Sequence, residues 1–156
     1  CKYLLLSIAP LFTDEYSMRE ALKEAQKAFD VDEVPVGSVI VANNKIIARS
    51  HNLTERLIDV TAHSEIQAIT AASNYIGGKY LFDCTLYVTL EPCIMCAGAL
   101  FWSKISKVVY GASDYKNGFL SNFNANLHPK TEFVKGVLND DCEAILKLFF
   151  KNKRIK

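Results

Sequence analysis

Thr85-Leu-Tyr-Val-Thr-Leu-Glu-Pro-Cys-Ile-Met-Cys-Ala-Gly-Ala99 changes periodicity midway. Residues 85–90 are β-branched, aromatic or leucine, the composition of a buried strand. Glu91-Pro92 ends that strand, since proline brings no N–H to a ladder. An alanine-rich helix from residue 93 to about residue 102 follows, with two cysteines in its first turn. A buried strand running into a helix start is the repeating unit of an α/β protein.

Working outward, residues 107–111 read as a second strand and 133–134 as a short third. Upstream, 36–42 and 45–50 make a hairpin through Asn43-Asn44, because asparagine tolerates the positive φ of a two-residue turn. Thr61 is placed to cap a helix through about residue 76, closed by Gly77-Gly78. A first helix is expected to start at Thr13 or Ser17, with Glu20 completing a capping box to Ser17. Met18, Leu22, Ala25 and Phe29 give it one apolar face. The last helix is expected from Asp140, residues 53–60 as a loop, and 114 to about 130 as a long surface loop. These elements predict a three-layer α-β-α sandwich around a mixed five-stranded sheet.

Length and composition set bounds on function. A chain of 156 residues, half of them apolar, makes one domain (1–156) with its own core. Eighteen Lys and Arg against 17 Asp and Glu exclude a uniformly basic nucleic-acid coat, though not a local patch. Five cysteines, two of them as C-x-x-C, point to metal or redox chemistry in a reducing compartment, hence the cytoplasm. The apolar run 3–12 is too short to span a membrane and is read as part of an N-terminal extension, 1–13.

His63-Ser-Glu65 and Cys93-x-x-Cys96 each sit at the first turn of an expected helix. Singly, each motif is weak: H-x-E occurs by chance, and C-x-x-C serves redox pairs and structural zinc alike. Together they give three ligands, His63, Cys93 and Cys96, the count of a catalytic zinc with its fourth position open. A closed structural site would need Cys84, Cys142, His51 or His128 as a fourth. A redox role leaves His63 and Glu65 without a function. Thiols at helix N-termini are expected to ionise easily, because the helix dipole stabilises anions there. Glu65, in the first turn, can reach the space before the helix end and carry protons for a metal-activated water.

These motifs are those of the cytidine-deaminase-like zinc deaminases, whose signature pairs H-x-E with P-C-x-x-C. The chain more closely resembles the bacterial tRNA-specific adenosine deaminases. The resemblance lies in Glu33-Val-Pro-Val-Gly37, Thr61-Ala-His-Ser-Glu65, Thr85 to Cys93, Met95-Cys-Ala-Gly-Ala99 and Val108-Val-Tyr-Gly-Ala112, and in Gly136-Val-Leu138, Cys142 and Phe149-Phe150. It implies a cytidine-deaminase-like fold and hydrolytic conversion of adenosine to inosine at the wobble position (34) of a tRNA anticodon stem-loop. It implies one Zn2+ per subunit with water or hydroxide as fourth ligand, Glu65 as the catalytic proton carrier, and a homodimer. It further implies base contacts from Asn52, Ala62 and Pro92. RNA contacts are expected from Asp114, Lys116, Phe149, Phe150, Lys151 and Arg154, although aromatic residues near a helix end, as Phe149 and Phe150 are, more often belong to the core.

Three features depart from the family pattern: Val60 replaces a proline, Ser64 an alanine, and the loop at 117–121 is short. That loop bears on substrate choice and keeps open the alternative of a free base or nucleotide (cytosine, guanine or dCMP). The basic stripe Lys147, Lys151 and Arg154 is open to two readings: it meets phosphates, or it complements the dipole of a helix that starts with acids.

Overall fold

The computed structural model describes residues 12–155. Cys1 and most of the expected N-terminal extension therefore lie outside the described residues. The elements are α1 (Asp14–Asp30), β1 (Gly37–Ala42), β2 (Lys45–His51), α2 (Thr54–Leu57), α3 (Ser64–Ile76), β3 (Cys84–Leu90), α4 (Ile94–Ser103), β4 (Lys107–Ala112), β5 (Glu132–Lys135) and α5 (Asn139–Arg154). They form one five-stranded sheet in the order β2-β1-β3-β4-β5. β1 is antiparallel to both neighbours, whereas β3, β4 and β5 run parallel. Parallel neighbours need crossovers, and α4 supplies the one between β3 and β4.

Strand alternation builds two cores. Ile40, Leu86, Val88, Val108 and Tyr110 face α3 and α4, where Ala68, Ala72, Ala97 and Leu100 meet them. Val39, Tyr87 and Val109 face the other way, toward Met18 and Ala21 of α1 and Cys142 of α5. Small residues on the helices let them lie close to the sheet. The closest approach is at Gly37, where an added Cβ would collide with the Ala21 carbonyl oxygen and the Ala25 nitrogen.

The sheet and its covering match expectation, including the hairpin, whose Asn43 and Asn44 have φ of 49° and 55°. Three local readings change. Thr13 alone caps α1, its hydroxyl accepting from the Tyr16 N–H at 3.1 Å. Ser17 is buried inside the helix, and Glu20 pairs with Arg49 and Lys23 at 2.8 and 2.6 Å instead of closing a capping box. Thr61 does not cap α3: its hydroxyl donates to the Asp59 carboxylate at 2.7 Å, and His63 occupies the N-cap position. The 53–60 loop contains the short helix α2, whose first N–H groups find the distant Glu33 carboxylate. Arg56 N–H donates to it at 2.7 Å and Glu55 N–H at 3.3 Å.

Candidate metal centre and substrate cavity

Two helix N-termini converge beside the end of β3. His63 is the N-cap residue of α3 and Cys93 that of α4, both with extended backbone. Neither side chain caps its own helix, so both are free to point into the space between the helix ends. Cys96, one turn on, completes the group. The donor atoms of His63, Cys93 and Cys96 lie within 4.8 Å of one another, the only such cluster of His, Cys, Asp and Glu among the described residues. Cys84, Cys142, His51 and His128 stay outside it, which removes the closed four-ligand reading. His63 Nδ1 is 3.6 Å from each sulfur. A tetrahedral ion with bond lengths usual for zinc sets N···S separations at about 3.6 Å. The donor set and its spacing therefore fit zinc.

The electrostatics are those of one shared proton. A hydrogen bond from Cys96, with a further contact to His63, holds Cys93 down at about 4 despite its burial. The same bond and burial push Cys96 well above the ordinary thiol range. In the metal-free site the expectation that both thiols ionise easily thus holds for Cys93 alone, because a lone thiolate keeps its neighbour protonated; a metal held here would take both as thiolates. His63 is raised, first by its contact with Cys93.

Glu65 is 4% exposed, and burial raises its carboxyl above the usual range. Ser64 donates a hydroxyl bond to Glu65 Oε2 at 3.1 Å. Glu65 shares with His63 and Cys93 a cavity of about 410 Å³, a volume suited to a small ring system. Val34, Val36, Leu90, Ile94 and Phe123 give it apolar walls, and Asn52, Thr54, Asp114 and Asn117 polar ones. Asn52 is buried, and its Oδ1 has no hydrogen-bond partner among the described residues. An unsatisfied buried acceptor facing a cavity is built to receive a ligand donor.

Two expected base contacts fall outside that lining. The Ala62 carbonyl already accepts from Leu53 N–H and Gln67 Nε2, and the Pro92 carbonyl from Phe119 N–H. Of the expected RNA contacts, Asp114 lines the cavity, whereas Lys116, Lys151 and Arg154 are exposed at the surface. Phe149 is 5% exposed and packs edge-on against Phe29, which makes it core and not a stacking platform. Phe150 is 44% exposed. It lines a second groove with Lys153 and Arg56 that meets the main cavity at Val34 and Thr54. Sequence reasoning gave no site role to Val34, Leu90 and Phe123: the first two lie in blocks quoted for the resemblance, but only the fold brings the three segments to one cavity.

The chain matches the MafB19-like deaminase family over residues 12–154. It is 46% identical over 148 residues to the tRNA-specific adenosine deaminase of Bacillus subtilis (strain 168), covering 92% of each chain. A structure from a study of A-to-I editing by tRNA:A34 deaminases at the wobble position superposes with a TM-score of 0.79. It is 40% identical and covers 84% of this chain and 99% of that one. A guanine deaminase from Bacillus subtilis superposes less closely, with a TM-score of 0.63 at 32% identity over 75% of this chain and 72% of the other.

Proposed function

The chain belongs to the MafB19-like deaminases and to the tRNA-specific adenosine deaminases, and from that membership we infer that it converts adenosine to inosine at the anticodon wobble position of a tRNA. The observation that carries the reading is one cavity lined by His63 and Cys93 of the three-ligand metal group, by the buried Glu65 and by Asn52, whose Oδ1 has no partner among the described residues. The reaction adds water across the N1–C6 bond of adenine, hydroxide to C6 and the proton to N1, and then expels ammonia from C6. His63, Cys93 and Cys96 would hold one zinc ion per subunit, which would supply the Lewis acidity that makes water nucleophilic near neutral pH.

The protein's own groups do the rest. Glu65 takes a proton from water and delivers it to N1 of the base; it then takes the proton of the new C6 hydroxyl and passes it to the departing amine, which leaves as ammonia while C6 becomes a carbonyl. Its burial raises its carboxyl above the usual range, which suits a group that must both take and give a proton. Asn52 Oδ1 accepts a hydrogen bond from the base edge, and the apolar walls exclude bulk water. A base enters this enclosed site by leaving its stack, which an anticodon loop permits at little cost.

A homodimer is the working unit of this reading. Ile58 and Val60, 93% and 82% exposed beside the cavity mouth, are apolar groups suited to burial against a second copy. A tRNA substrate supports a cytoplasmic location. Separately, no helix among the described residues is long and apolar enough to cross a membrane.

The rival is a free base, with guanine favoured by the similarity to a guanine deaminase. Incubation with an arginine-tRNA anticodon stem-loop and with free adenine, guanine and cytosine separates the two. Inosine in the RNA is the expected result. Ammonia from a free base, with the RNA unchanged, sinks the reading.

A further inference from the structure

A second buried carboxylate lies in the cavity wall and takes no part in proton transfer. Glu91, 2% exposed, follows β3 and stands two residues before Cys93. Its Oε2 accepts the Asp114 N–H at 2.9 Å and the Ser121 hydroxyl at 2.6 Å. Its Oε1 accepts the Leu120 N–H at 3.0 Å and the Ser121 N–H at 2.8 Å. An ionised carboxylate offers about four acceptor positions, so none is left for a ligand.

All four bonds come from one loop. Phe119 N–H adds a bond to the Pro92 carbonyl at 2.9 Å, and Gly118 bridges to Cys93. Only glycine fits at 118, because a Cβ there would collide with the Glu91 carboxyl group. The same loop supplies Asp114, Asn117 and Phe123 to the cavity lining. Asp114 Oδ1 stiffens its start by accepting the Lys116 and Asn117 N–H groups, each at 3.0 Å.

We propose that Glu91 is a positioning residue for substrate, its carboxylate holding the 114–123 loop against the segment that carries Cys93 so that the substrate wall is built before the nucleotide arrives. Without it the loop would have to be ordered by the substrate, at the expense of affinity. The chemical step, carried by His63, Cys93, Cys96 and Glu65, does not pass through these bonds. Ser121, in the loop that departs from the family pattern, is this chain's own part of the lock. The inference rests on the RNA reading above.

Steady-state kinetics on the anticodon stem-loop, with zinc-loaded full-length protein, test it. Ser121→Ala removes one bond to a charged acceptor and is expected to raise KM about tenfold with kcat within about twofold. Ser121→Thr keeps the hydroxyl and is expected to restore KM. Glu91→Gln, which turns an amide N–H₂ toward N–H donors, is expected to raise KM further; should it fail to fold, the Ser121 pair still decides. Unchanged KM in Ser121→Ala, or a fall in kcat with KM constant, overturns the proposal. Wild-type protein that leaves the stem-loop untouched overturns the RNA reading and this inference with it, an outcome visible before any variant is made.

Discussion

Ser38 and Ser64 stand with their hydroxyl oxygens 2.7 Å apart, both fully buried, and Ser64 passes its own hydrogen to Glu65 Oε2. Ser38 must then donate to Ser64, which gives a short directional chain ending on the proton carrier. Ser64→Ala is expected to destabilise the fold by about 1–3 kcal/mol, because it leaves the Ser38 hydroxyl without that partner. Adding Ser38→Ala should recover most of the loss in denaturant unfolding at fixed zinc; equal stability of wild type and single variant would refute the pairing. Glu65→Ala should cost about 10²–10⁴ in kcat, as loss of a general acid–base does, while metal analysis still finds zinc. Activity close to wild type would remove Glu65 from the mechanism. The ligands and Glu65 were legible because each motif lies within one helical turn. Ser38 and Ser64 are 26 residues apart, and only the tertiary fold brings them together.

Elements were legible where their signals are local and misread where a remote residue decides. The hairpin at Asn43-Asn44 needs only two residues of positive φ, and the sequence names them. α2 could not be read, since its four residues carry no apolar period and its capping carboxylate, Glu33, lies 21 residues before Thr54. Thr61 looked like a cap by residue type, but an N-cap with its hydroxyl engaged elsewhere leaves the position to His63. The junction of α1 and β1 is a further place where packing overrides pattern. Gly37→Ala should cost at least about 1–3 kcal/mol, the usual penalty of overpacking, because the colliding atoms belong to the α1 backbone. A lowered midpoint in thermal unfolding is the expected reading; an unchanged one would show that α1 shifts freely.

At the scale of the whole molecule, neither apolar cluster contains His63, Cys93 or Cys96. The core is complete without the ion, unlike a zinc finger whose metal replaces a core. Dialysis against a chelator should therefore abolish inosine formation while far-ultraviolet circular dichroism keeps its native shape, and added zinc should restore turnover. Collapse of the spectrum on chelation would show that the ion holds the fold. The strand register also gives the sheet two unlike ends. Gly37 pairs with His51, and Leu90 with Ala112, at the end where the ligands gather. Ala42 pairs with Lys45 and Cys84, and Thr85 with Lys107, at the other. The Asn43-Asn44 turn thus sits a strand's length from every catalytic group. A flexible Gly-Ser insertion there should leave both kcat and KM as they were. That end of the molecule is a natural handle: anchored to a bead or fused to a guide protein through the hairpin turn, the enzyme would still present an unobstructed mouth to long nucleic acids.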